Sequence, residues 1–287
     1  MNDLVHKRIT EDSRFNEILN HHDDLNMLVS GINDDFKPVL LYELYKESEG
    51  SIVIIVKNNH QMEKLAATLY DMMDNVYTFP IGDIMIENHS KQSPEFKQAR
   101  LTTLSALAKN ESGLFLVPAQ ALLKPLMSKE RLLSYEHTIR NGDQLDYETI
   151  PKELVARGYN RMKQAANIGE FAIRGDIIDI YMHSGFYRIE LFDDIVDSLR
   201  EIDPETQRSI KNIESVFIGA IEEFILESSE IELLLEELNT LYDDTVGVIN
   251  DDAKETLDEY MAIIGQEGLR HQYLSPYAHL IQEKKVS

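Results

Sequence analysis

A change of hydrophobic pattern near residue 128 constrains this chain more than any other feature. Before it, short apolar runs alternate with longer stretches of helical periodicity: NMLVSG, PVLLYELYKES, SIVIIV, QMEKLAATLYDMM and VYTF. Fully apolar strands joined by crossover helices read as βαβαβ and imply a parallel sheet with helices on both faces. An amphipathic stretch around 12–20 precedes them. Another helix is signalled by Ser93 as cap, Pro94 in the first helical position and Glu95 in the first turn, with Leu101, Leu104 and Leu107 as its apolar positions. GLFLVP, residues 113–118, adds a further buried strand.

From residue 128 to about 213 the strands alternate apolar and polar residues and are joined by short turns at Ser184-Gly185, Asp193-Asp194 and the DPET stretch at 203–206. One helix, PKELVARG, starts at Pro151 and stops at Gly158. This is the signature of an antiparallel sheet with one open face. From residue 214 the chain is again helical, with Leu234, Leu238 and Leu241 at helical spacing among many acids. The expected class is α/β: a parallel-sheet domain over 1–127, an inserted α+β antiparallel-sheet domain over 128–213, and a mainly helical acidic remainder over 214–287.

Within the second domain, EFAIRGDIIDIY (170–181) changes phase. Its apolar positions are odd-numbered through Phe171 and Ile173 and even-numbered at Ile178 and Ile180. A strand holds its side chains on alternating faces, so the slip at Arg174-Gly175-Asp176 predicts a bulge at Gly175. Ala172, Arg174, Ile177, Asp179 and Tyr181 then share the outer face.

Composition narrows the function classes. There is no cysteine, which removes disulfides, thiolate catalysis and zinc-thiolate sites and fits a reducing cytoplasm. The 51 acids against 28 bases give a net charge of -23, which opposes any sequence-independent grip on nucleic acid. The opening residues lack an apolar leader, and no long apolar run is present, so neither secretion nor membrane insertion is expected.

The loop SGINDDFKP stands where a phosphate-binding loop of the form G-x-x-x-x-G-K-[ST] would stand. Gly31 and Lys37 match. Phe36 replaces the second glycine and obstructs the backbone nest, and Pro38 offers neither a hydroxyl for Mg²⁺ nor an N–H. No ATPase, cofactor or metal is expected; NHHDDLN (20–26) reads as a helix end and turn, and no catalytic constellation is present.

Residues 158–210 carry a longer pattern: Gly-Tyr, then G-E-F-x-x-R-G-x-I-x-D-I-Y, then R-I-E-x-F-x-D-x-[VI]-D-S-[LI]-R, and D-P-E-T-Q-R-S. This resembles the module shared by the excision-repair protein UvrB and the transcription-repair coupling factors, and the last motif favours the latter. FPIGDIMIENHSKQSPEFKQARLTTLSAL is similar to another segment of that family, with MIEN where L-P-Y-D is usual. The resemblance implies a degenerate P-loop, helicase-like first domain (1A), a domain 2 that docks the repair protein UvrA, and a domain 1B continuing beyond residue 287. It implies that the longer protein displaces stalled RNA polymerase by ATP-driven translocation on duplex DNA, through later domains, while this portion is monomeric and non-enzymatic. UvrA contact is assigned by the same resemblance to Arg161, Arg174 and Tyr181, with Arg161 expected to reach the face of Arg174. Two alternatives stand beside it: a UvrB-like nucleotide-dependent enzyme that binds damaged DNA, and a structural domain whose arginines pair with Asp179, Glu190 or Asp197.

Overall fold

The computed structural model describes residues 13–20, 28–48, 50–81, 94–123, 126–226 and 228–264. The chain divides into two units, Met1–Leu123 and Lys124–Ser287. In the first unit, α1 (Ser13–Asn20) and α2 (Lys37–Glu47) are followed by β1 (Ile52–Val56), α3 (Asn59–Tyr70), β2 (Val76–Thr78), α4 (Pro94–Ala108) and β3 (Leu114–Pro118). The strands form a parallel sheet in the order β1-β3-β2. Central β3 is buried along its whole length, as its unbroken apolar run LFLVP requires. Leu114 and Leu116 pack with Met62, Leu65 and Leu69 of α3, while Phe115 on the opposite face stacks on Tyr77 at 4.8 Å.

Two expectations fail in this unit. Leu28 to Ser30 of the NMLVSG run form no strand, and Leu28 is 95% exposed. The apolar run is too short to pair before Gly31, at φ +77, turns the chain. In α4 the buried face is not the leucine set but Arg100, Thr103 and Ala106, and Leu107 is exposed. The fully buried Arg100 donates to the Pro80 carbonyl at 2.6 Å and lies 3.7 Å over the Phe79 ring, while Thr103 donates to the Thr78 carbonyl at 2.7 Å. The helix is thus docked by polar contacts to the end of β2, which hydrophobic periodicity cannot report. Ser93 and the MIEN departure lie outside the described residues, as does most of NHHDDLN.

The second unit comprises α5 (Lys129–Ser134), β4 (His137–Arg140), α6 (Ile150–Ala156), β5 (Asn160–Arg161), β6 (Glu170–Arg174), β7 (Ile177–Met182), β8 (Gly185–Phe192), β9 (Ile195–Ile202), β10 (Ser209–Asn212), β11 (Ser215–Ile218), α7 (Ser228–Val246) and α8 (Asp251–Ile264). Six strands form one sheet in the order β10-β9-β8-β7-β6-β5, antiparallel except where β5 runs parallel to β6. One face buries Phe171, Ile178, Ile180, Ile189 and Leu199 against Leu154 of α6 and the β4–β11 pair. Gly158, at φ +88, ends α6 close against Ile221: a Cβ there would meet the isoleucine side chain at 3.0 Å.

The α+β unit does not end at residue 213. β11 pairs with β4, and Val216, Ile218 and Ile221 belong to the same core as Phe171. Helical structure begins only at Ser228. There α7 and α8 pack through Leu234, Leu238 and Met261, and Arg131 of α5 joins Glu230 of α7 at 3.0 Å.

Candidate partner-binding face

The phase slip in EFAIRGDIIDIY is a chain reversal, not a bulge. β6 and β7 are separate strands joined by a two-residue turn, with Arg174 opposite Ile177. Gly175, at φ +55, occupies the first central position, where the type II′ hairpin turn requires a residue with positive φ. Reversal preserves the face assignment, since Phe171 pairs with Ile180 and Ile173 with Ile178 on the core side. The next turn falls at His183-Ser184, one residue earlier than expected, and the third at Asp193-Asp194 as expected.

Register then builds the outer face in rows. Tyr181, Phe186 and Ile202 stand in one row, Ala172, Asp179, Arg188 and Arg200 in the next, and Arg174, Ile177, Glu190 and Ser198 in a third. The first row is apolar: Tyr181 stacks on Phe186 at 5.0 Å, and Ala165 closes over Phe186 and Ile202. Glu170 holds this cover in place, accepting from the backbone N–H groups of Ala166 at 2.8 Å and Asn167 at 3.0 Å.

The other two rows carry charge. Asp179 is 1% exposed and is gripped from both sides. Arg188 is bidentate on it, Nε to Oδ1 at 2.6 Å and Nη2 to Oδ2 at 3.0 Å, and Arg174 Nη2 donates to Oδ2 at 2.7 Å. The hydrogen bond to Asp179 raises the Arg188 pKa above its ordinary value, outweighing the opposing effect of burial. Arg200 Nη2 and Ser198 Oγ both donate to Glu190 Oε2 at 2.8 Å. Three guanidiniums are thus set against two carboxylates. Arg174 remains 49% exposed while its far end is positioned, which suits a planar fork for bidentate recognition of an incoming carboxylate.

Arg161 is not brought to this cluster. Its register partner is Phe171, a core residue, so it stands on the opposite side of the sheet from Arg174. There it neighbours Tyr147, whose pKa is raised by burial and by Asp176, with Arg161 acting in the opposite direction. The face is set by the register of β5 against β6, Arg161 opposite Phe171, which no local pattern announced. The sequence offered Asp179 and Glu190 as ion-pair partners but did not single out Arg188 and Arg200, although the alternation within R-I-E places Arg188 and Glu190 on one face.

The loop that stands where a phosphate-binding loop would stand is a tight turn. Asp34–Phe36 form one 3₁₀ turn, and α2 begins at Lys37 with Pro38 buried in its first turn. Lys37 Nζ donates to Asp34 Oδ1 at 2.6 Å, and this contact holds the Asp34 carboxyl below its ordinary pKa. The lysine is therefore already engaged by an acid of its own loop. Among the described residues no group of three acids or histidines could hold a metal ion, and no helix is long and apolar enough to cross a membrane.

A family model of the UvrB interaction domain matches residues 138–224, which include all eight strands of the second unit except the first residue of β4. The transcription-repair-coupling factor of Staphylococcus aureus (strain bovine RF122 / ET3-1) is 38% identical over 259 residues, covering 88% of this chain. That of Staphylococcus haemolyticus (strain JCSC1435) is 38% identical over 267 residues, covering 91%. The chain carries a UvrB interaction domain and is a homologue of the transcription-repair coupling factors. It spans 22–23% of the length of these two relatives. The domain match ends at 224, beside the end of the shared core at Ile221 and beyond the boundary expected at 213.

Proposed function

We propose that this chain is the UvrA-recruiting portion of a cytoplasmic transcription-repair coupling factor, and that the outer face of its six-stranded sheet docks UvrA. The observation that carries the reading is Arg174, half exposed and aimed by Asp179 within a domain that matches the UvrB interaction domain. Tyr181 lies two rows from Arg174, beyond the row of Asp179 and Arg188, and offers an aromatic edge on the same face of the sheet. Arg161 stands on the opposite side of the sheet from Arg174. In the longer protein, recognition of stalled RNA polymerase and ATP-driven movement on duplex DNA belong to segments outside this chain. The present portion binds no nucleotide, because Phe36 and Pro38 remove the phosphate nest and Lys37 is held by Asp34.

Capture of UvrA by the 287-residue chain tests this, with Arg174→Ala and Arg161→Ala run beside the parent. Loss of capture with Arg174→Ala at unchanged melting temperature supports the reading. The structural alternative draws on the same ion pairs: if Arg174→Ala lowers the melting temperature and leaves capture intact, the cluster serves only the fold.

A further inference from the structure

Resting on that reading, we propose that the docking face extends to the β8–β9 hairpin tip, where Phe192 and Ile195 anchor an apolar side chain of a partner segment whose carboxylates meet Arg174 and Arg200. Phe192 follows core residue Leu191, so it projects on the arginine side of the sheet. It is 73% exposed, and its cross-strand partner Ile195 is 48% exposed. Glu190 lies two residues before Phe192 on the same strand face, about 7 Å away, and Leu191 N donates to the Asp176 carbonyl at 2.8 Å, fixing the tip beside the Gly175-Asp176 turn that follows Arg174. The apolar pair follows the Glu190–Ser198 row on the same face of β8, across a register shift in the β8–β9 pairing.

The tip is also held rigidly. Gly142 N donates to Val196 O at 2.8 Å, Leu145 N to Asp194 O at 2.7 Å, and Val196 N to Asp143 O at 2.9 Å. The Gln144 side chain bonds the Asp194 carboxylate, and Asp193 takes φ +56 to close the turn. A preorganised, solvent-facing phenylalanine is costly to expose and loses little entropy on contact, which is the profile of an interface anchor. Charge complementarity sets the occupant and its direction. Asp176 and Asp193 on the adjoining turns repel carboxylates from the tip, whereas the arginine rows attract them, so the occupant is a protein segment with acids at one end and an apolar group at the other.

The experiment measures UvrA affinity of the full 287-residue chain carrying Phe192→Ala, Phe192→Leu or Arg174→Ala, at low and at high salt. Phe192→Ala is expected to weaken binding about tenfold or more, with the melting temperature unchanged and the loss insensitive to salt. Phe192→Leu should retain most of the affinity, and the Arg174→Ala loss should shrink as salt rises. Affinity within twofold of the parent for Phe192→Ala, while Arg174→Ala is impaired, overturns the anchor and leaves the docking reading standing. If neither substitution weakens binding, the docking reading falls as well. A Phe192→Ala protein whose melting temperature drops in step with its binding shows a packing role and also overturns the anchor.

Discussion

Asp179 concentrates the energetics of the outer face on one carboxylate. Buried among two arginines and satisfied by three hydrogen bonds, it is stable only while its partners remain. Asp179→Ala leaves the shielded Arg188 uncompensated and is expected to cost about 3–5 kcal/mol in denaturant unfolding. Arg174→Ala leaves the bidentate Arg188 contact in place. Because Arg174 is half exposed, its own loss is expected to cost about 0–1 kcal/mol of stability, while weakening UvrA binding about 30-fold, as removal of roughly 2 kcal/mol at an interface would. Phe171→Ala provides the contrast: it empties a fully buried ring site and is expected to cost about 3–5 kcal/mol. Calorimetric melting and UvrA affinity measured on the three variants separate structural from partner-facing side chains.

At the scale of elements, the two-residue turn between β6 and β7 determines where Arg174 stands. A β-branched residue at positive φ is strained, so Gly175→Val is expected to destabilise the domain by roughly 1–2 kcal/mol, whereas Gly175→Asn is tolerated. Open space surrounds a Cβ at Gly175, so the effect comes from the backbone alone. Chemical denaturation of the two variants checks the difference. In the parallel sheet, burial raises the Tyr77 pKa to about 12, assisted by the hydrogen bond its hydroxyl donates to Glu111 at 2.7 Å. The folded state therefore favours the neutral phenol. Its contribution to stability is complete below the unfolded tyrosine pKa of about 10 and is lost as pH rises through the folded value. An ultraviolet titration is expected to show a late tyrosine step near pH 12 that is absent in Tyr77→Phe.

For the whole molecule, the net charge of -23 governs long-range behaviour. Any nucleic-acid complex would lack the favourable counterion release that drives non-specific binding, so the chain is expected to give no duplex DNA shift in gel electrophoresis at about 0.15 M salt. Isothermal titration with ATP and Mg²⁺ is expected to give no binding heat, since the loop at 31–38 offers neither a second glycine nor a hydroxyl. The same charge favours partner surfaces that present cations, which makes the arginine rows a local inversion of the molecule's overall field. Binding there depends on close-range forks, with the distant field of the chain opposed to an acidic partner.

The sequence by itself determined the two classes of sheet, the one helix bounded by Pro151 and Gly158, and which residues of EFAIRGDIIDIY share a face. These follow from local periodicity and turn chemistry, which act over a few residues. The hairpin at Gly175 gives the same face pattern as a bulge, so alternation alone could not separate the two. Only the tertiary structure placed Arg161 across the sheet from Arg174, because the register of β5 against β6 is a non-local choice. The same holds for Arg100 at the buried face of α4, where a carbonyl and a ring supply what a leucine would elsewhere. It holds too for β11, whose core role depends on β4, some 75 residues earlier in the chain. The arginine rows needed three strands in register before Asp179, Arg188, Glu190 and Arg200 became neighbours. Spatial assembly of distant residues decides such sites, and sequence spacing records only the strands that carry them.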